Sequence, residues 1–243
     1  MELDRTGQEE AVIRECQLML AETQNADERA SVLVNLYGSN LRLGRLKEAR
    51  RALDQMKGLE ISDLEVRLNA EFCEPVLLIE EGKYEEGLAA FAAMLNRHSE
   101  AFKDPEYRYL YEDIQRRRAI ALFGLSRYKE ALPLLREAVS FSFDRATDEQ
   151  DVHFYLGVIL DDTNETEAKQ EFLRVVGFGL KNDIEEQARW RLAILHYKAG
   201  ALAQAMKQLE TILLDFPSDN PAVPREQVNE FLSRIKTWLA KNR

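Results

Sequence analysis

The chain has 243 residues, with 33 Lys and Arg against 43 Asp and Glu, a net charge of −10, and 45% hydrophobic residues. That is apolar enough to bury a core. The acidity argues against nucleic-acid partners and anionic membrane surfaces, where basic residues supply the affinity.

Eleven glycines and six prolines, in a chain rich in Leu and Ala, predict an almost wholly helical protein. A first helix is expected over 3–23, with Val12, Ile13, Cys16, Met19 and Leu20 on its apolar side. Helix pairs follow at about 27–43 with 46–57, 64–81 with 84–97, 105–124 with 128–142, 147–161 with 165–179, and 184–199 with 202–215. The stretch Pro217-Ser218-Asp219-Asn220-Pro221 is a breaker. A last helix is expected over 224–241, with Val228, Phe231, Leu232, Ile235 and Leu239 at helical spacing and Arg225, Arg234, Lys236 and Lys241 on its outer side. No low-complexity linker interrupts this order, so residues 1–243 read as one domain with repeats at about 27–57, 64–97, 105–142, 147–179 and 184–217. Helices 3–23 and 224–241 cap the two ends.

One phrase recurs through the pairs: a turn, a hydrophobic residue, a polar pair, a small residue and an apolar residue four later. It reads Leu43-Gly44-Arg45-Leu46-Lys47-Glu48-Ala49 with Leu53, and again Glu81-Gly82-Lys83-Tyr84-Glu85-Glu86-Gly87 with Phe91. Ser126, Tyr128, Ala131 and Leu135 repeat it, as do Gly200, Leu202, Ala205 and Leu209. Asn164, Ala168 and Phe172 give a weaker copy. The small residues fall at 49, 87, 131, 168 and 205, spaced 38, 44, 37 and 37 apart. In each copy Gly, or Ser126 or Asn164 in its place, is expected to end one helix in the left-handed region. The small residue then sits where two helices cross closely.

These phrases resemble the tetratricopeptide repeat family over about residues 27–217. The fullest copy is Ala188 to Gly200 followed by Ala205, Leu209, Ile212 and Phe216-Pro217, with His196 where the family usually has Tyr. Tyr155-Leu156-Gly157 carries the family's Leu-Gly pair, whereas Glu74-Pro75 departs from it. The spacings exceed the family period of ~34. Five pairs are counted, or four if the second or fourth copy is degenerate. The resemblance implies an all-α, right-handed α-solenoid of about five helix-turn-helix repeats between two capping helices.

No chemistry-bearing motif competes with this reading. GxxxxGK[ST], HExxH and GxSxG are absent. Cys16 and Cys73 are far apart and without a CxxC, which speaks against a disulfide framework or zinc and suits a reducing, cytoplasmic setting. No run of ~18 apolar residues offers a membrane span, and the acidic start Met1-Glu2-Leu3-Asp4 shows no secretory leader. No cofactor or metal is expected. Gly177-Phe178-Gly179 reads as a helix end, and Asn164-Glu165-Thr166 as a chance glycosylation sequon. His153 beside Asp151 or Asp161 is the best candidate proton-transfer pair, read here as a partly buried helix histidine. Asp161-Asp162 with Glu165 forms an acidic turn, read as solvated. Arg116-Arg117-Arg118 point about 100° apart around a helix and cannot form one patch.

The resemblance places a binding surface on the first helix of each pair. Its positions include Phe72 and Val76, then Arg116, Ile120 and Phe123, then Phe154, and then Trp190, Ile194 and Tyr197. Two readings stand: a groove for an extended or helical peptide with one acidic anchor on Arg116, or side chains packed away as core. One branch of the family grips a C-terminal carboxylate with Lys, Asn and Arg. The matching places here hold Val34, Gly38, Cys73, Asp113 and Arg117, and only Arg117 agrees, so that clamp is not expected. The function that follows is a non-enzymatic interaction module or scaffold for a protein or peptide partner, with no nucleic acid and no membrane insertion. A ligand- or peptide-gated sensor is the alternative and a helical enzyme a third. Apolar residues on the terminal helices leave a homo-oligomer open.

Overall fold

The structure is a computed structural model that describes residues 2–143, 145–216 and 219–242, without the side chains of 2–5. The expected break at Pro217-Ser218 lies outside the described residues. Among these residues there are twelve α-helices and no strand. The chain divides into two compact units, residues 1–127 and 128–243.

The first unit holds α1 (Glu2–Glu22), α2 (Ala26–Arg42), α3 (Leu46–Met56), α4 (Leu64–Glu80), α5 (Tyr84–Arg97) and α6 (Arg108–Gly124), the last preceded by short 3-10 turns at Ala101–Lys103 and Pro105–Tyr107. The second holds α7 (Tyr128–Ala138), α8 (Ala146–Leu160), α9 (Glu165–Gly177), α10 (Asp183–Lys198), α11 (Leu202–Asp215) and α12 (Arg225–Lys241). Within each unit a helix packs on its partner in the hairpin. It also packs on the first helix of the next hairpin, as α2 does on α4, α4 on α6 and α8 on α10. This is an all-α fold of stacked hairpins, the solenoid mode of packing.

The turns show why the recurring phrase folds this way. Gly44, Gly82 and Gly200 take φ of 69°, 76° and 72°, and Ser126 takes 58°. After each of these residues the chain donates a backbone hydrogen bond five residues back: Arg45 to Asn40, Lys83 to Leu78, Arg127 to Leu122 and Ala201 to His196, at 2.8–2.9 Å. The left-handed residue thus closes the helix end and satisfies its orphan carbonyls. Asn164 differs from expectation. Its φ is −149°, and its side chain instead accepts from the Glu167 N–H at 3.2 Å, capping α9 at its start. Gly179, with φ 64°, does end α9, as the Gly-Phe-Gly run implies.

The small residues sit in the helix crossings. Ala49, Ala131, Ala168 and Ala205 have no exposed surface. A Cβ on Gly87 would lie 2.7 Å from Ile79 Cγ1 and 3.1 Å from the Pro75 carbonyl oxygen, so α4 and α5 meet almost backbone to backbone. The apolar residues four later are buried to 2% exposure or less: Leu53, Phe91, Leu135, Phe172 and Leu209. Each contributes about 1.5–3 kcal/mol of apolar burial. On α1, Ile13 and Cys16 are buried as expected, but Val12 and Met19 lie on the exposed flank, 36% and 45% accessible. Ion pairs from Arg42 to Glu9 and from Arg45 to Glu10 tie α1 to the α2 hairpin.

First-helix faces as the candidate binding site

In the first unit the side chains of α2, α4 and α6 meet along the seam between neighbouring first helices. The Tyr37 hydroxyl donates to the Cys73 carbonyl at 2.8 Å, and Asn69 Nδ2 donates to the Tyr109 hydroxyl at 3.1 Å. The Arg117 guanidinium lies 5.7 Å over the Phe72 ring, a cation–π contact. Phe72 in turn tilts against Phe91 at 5.7 Å.

Charge on this face is already paired. Asp113 accepts from both Arg116 and Arg117, and Arg117 also faces Glu80 at 3.5 Å. Burial pushes the Asp113 carboxyl up, but Arg117 and Arg116 outweigh it, and the group is held below the usual aspartate value. Burial would lower the Arg117 pKa, yet Asp113 and Glu80 raise it above the usual arginine value. Burial pushes the Cys73 thiol up to about 12, which leaves it inert as a nucleophile.

The expected site residues of this unit divide by depth. Val76 and Arg116 are buried, at 1% and 5% exposure. Phe72, Ile120 and Phe123 are half-buried. The guanidinium that stacks on Phe72 is Arg117 and not Arg116. The run of three arginines gives no sign of which one faces the seam, because only the neighbouring helix decides it.

In the second unit Phe154 is buried at 5% exposure against Phe172, ring centres 6.2 Å apart. Trp190 and Tyr197, two turns apart on α10, both stand edge-on to Phe231 of α12, at 5.7 and 5.2 Å. Phe231 fills the space between them, and Tyr197 stays 39% exposed while Trp190 and Ile194 are half-buried. The face is therefore a seam with an aromatic ridge.

Several titratable groups of this unit are paired as well. His153 is 3% exposed, and its Nδ1 lies 2.6 Å from Glu171 Oε2 inside the α8–α9 hairpin. His153 is thus a helix histidine, as read from the sequence, though more deeply buried; the candidate partner Asp161 instead accepts from Arg191 at 2.7 Å, and Glu165 accepts from Lys198 at 2.7 Å. The acidic turn is thus bridged to α10. His196 is 8% exposed in the packing position that its place in the repeat implies. Burial, then Lys169, lowers its pKa, which keeps it neutral. Glu186, 1% exposed, accepts from the Val223 N–H at 3.0 Å and from Arg225 Nη1 at 2.5 Å, and so fastens the start of α12 to α10. Sequence reasoning missed this anchor because its partners lie 37 and 39 residues away. Among the described residues no three His, Cys, Asp or Glu side chains converge in a way that could hold a metal. No helix among them is long and apolar enough to cross a membrane.

Residues 187–219, spanning α10 and α11, match the sequence profile of the tetratricopeptide repeat. No curated protein matches the chain by sequence. Solved structures share its fold. The apo form of RapI is 11% identical, covers 98% of this chain and 72% of its own, and superposes with a TM-score of 0.65. Pseudomonas aeruginosa PilF is 15% identical, with coverage of 89% and 92% and a TM-score of 0.60. MamA from Desulfovibrio magneticus RS-1, residue 41 to its end, is 18% identical, with coverage of 76% and 93% and a TM-score of 0.51. At these identities the likeness is one of fold.

Proposed function

Taking as premise that this chain is a protein of tetratricopeptide-repeat type, we propose that it is a non-enzymatic scaffold that binds a protein or peptide partner on its first helices. The observation that carries the reading is the ridge on α10, where Trp190, Ile194 and Tyr197 remain partly open to solvent although Phe231 packs between the two rings. Large aromatic side chains that keep exposed area on a rigid frame are the usual anchors of protein interfaces. In the first unit Phe72, Ile120 and Phe123 are the matching contact residues. Val76, Arg116 and Phe154 support the contacts from below.

Because Asp113 and Glu80 already neutralise Arg116 and Arg117, the partner's anchors are apolar and aromatic rather than acidic. The absence of catalytic motifs from the sequence supports a non-enzymatic role, and two unpaired, buried cysteines suit a reducing compartment such as the cytoplasm. Selection of peptides from a display library against the folded protein tests this. Selected peptides are expected to lose binding to Tyr197→Ala and to keep it for Leu214→Ala, a substitution on α11 where the native side chain is 82% exposed. Peptides that lose binding only to the α11 variant contradict the reading.

A further inference from the structure

The side of α4 opposite its binding face borders a second concavity. Positions 67, 70, 71 and 74 lie about half a turn around the helix from 69, 72 and 76. They face a cleft of about 500 Å³ between the end of α3, α5 and the strap of residues 57–63. Leu53, Met56, Ile61, Ala70, Ala93 and Met94 supply its apolar lining, beside the charged Lys57, Arg67, Glu71, Glu74 and Arg97. Asp27 holds the strap by accepting from the Ser62 N–H, the Ser62 hydroxyl and the Asp63 N–H.

The charges around the cleft do not all balance. Glu74 is bonded to Lys57 at 2.9 Å, and Glu71 to Arg97 at 2.8 Å and to His98 at 3.0 Å. Arg67 lines the same cleft, and its Nε is buried without a hydrogen-bond partner. The charge of Arg67 is felt by Asp27, whose oxygens are already committed to the strap. Unlike Lys57 and Arg97, Arg67 makes no ion pair among the described residues, and its guanidinium beside apolar side chains offers a carboxylate charge-assisted bonds. The volume falls within the ~300–1,000 Å³ of small-molecule sites, and Met56 and Met94 adapt their shape to a chain lying over them.

We propose that this cleft binds a small amphiphilic carboxylate, with its head on Arg67 and its aliphatic tail across Met56 and Met94. The site is independent of the first-helix face. Decanoate below its critical micelle concentration is the probe, titrated calorimetrically into the full chain beside decyltrimethylammonium. Decanoate is expected to bind saturably, one per chain, and the cationic amphiphile is not. Arg67→Gln is expected to weaken decanoate about tenfold or more, the loss of one charged hydrogen-bonded contact. Ala93→Trp, at an exposed position where the larger ring fills the cleft without disturbing the fold, is expected to abolish binding. Tyr197→Ala leaves it unchanged. Equal binding of both amphiphiles, or decanoate binding indifferent to both cleft variants, overturns the proposal. So does a cleft that takes a Leu- and Glu-rich peptide but not decanoate, since that assigns it to a protein partner.

Discussion

Gly87 has so little room that its substitution tests the packing directly. Alanine gains helix propensity of about 1 kcal/mol over glycine. Its Cβ, however, would be driven to 2.7 Å from Ile79 and 3.1 Å from the Pro75 carbonyl, and overpacking of this kind costs about 1–3 kcal/mol. Since one of the two contacts is rigid backbone, the clash wins, and Gly87→Ala is expected to lower the thermal midpoint. Ser126 offers the opposite case. A non-glycine residue held at φ 58° is strained by roughly 1–2 kcal/mol. Ser126→Gly removes that strain against a larger entropy cost of ordering glycine. A net gain of about 0.5 kcal/mol is expected in denaturant unfolding. Asp113 sets a pH dependence. Its folded pKa lies below the usual value, so the stability it contributes is complete above the ordinary aspartate range and is lost as pH falls through the depressed value. Thermal midpoints followed from neutral to acid pH are expected to fall less steeply for Asp113→Asn than for the unaltered chain. Parallel curves would show that this carboxylate does not couple to folding.

Among the elements, α12 depends most on one distant side chain. Glu186→Ala leaves the Val223 N–H and the Arg225 guanidinium without their shared acceptor, and breaking a buried pair costs about 3–5 kcal/mol. Hydrogen exchange of the α12 amides is expected to accelerate in this variant more than that of α8 or α9. The helices themselves were legible in the sequence, because turn, small residue and apolar residue recur with a local physical cause. Their ends were less so: α7 closes at Ala138 rather than near 142, and α6 begins at Arg108 behind two 3-10 turns. Asn164 shows the limit of reading by analogy. Asparagine suits both a left-handed helix end and an N-cap, and the Glu167 N–H three residues on decides for the cap. The candidate site was legible in its helix but not in its depth. Spacing places Phe72 and Val76 on one face of α4, yet only the neighbouring α6 and α5 leave the first half-buried and the second enclosed. The buried ties of His153 and Glu186 were invisible for the same reason, since each partner comes from another helix or from the start of one.

At the scale of each unit, stacking buries the helix sides that neighbouring hairpins share. The two units are built from the same phrase, each around buried apolar clusters that run through successive hairpins. Aromatic residues along the seams both stabilise the stack and keep part of their area open. On the function proposed above, binding on them costs little ordering, because neighbours such as Phe91 and Phe231 already pack against them. The most direct measurement is hydrogen exchange of the full chain with and without a display-selected peptide. The account predicts slowed exchange in α10 or in α4 and α6, with α9 and α11 unchanged. Slowing confined to α9 and α11, with the first helices unaffected, would contradict it.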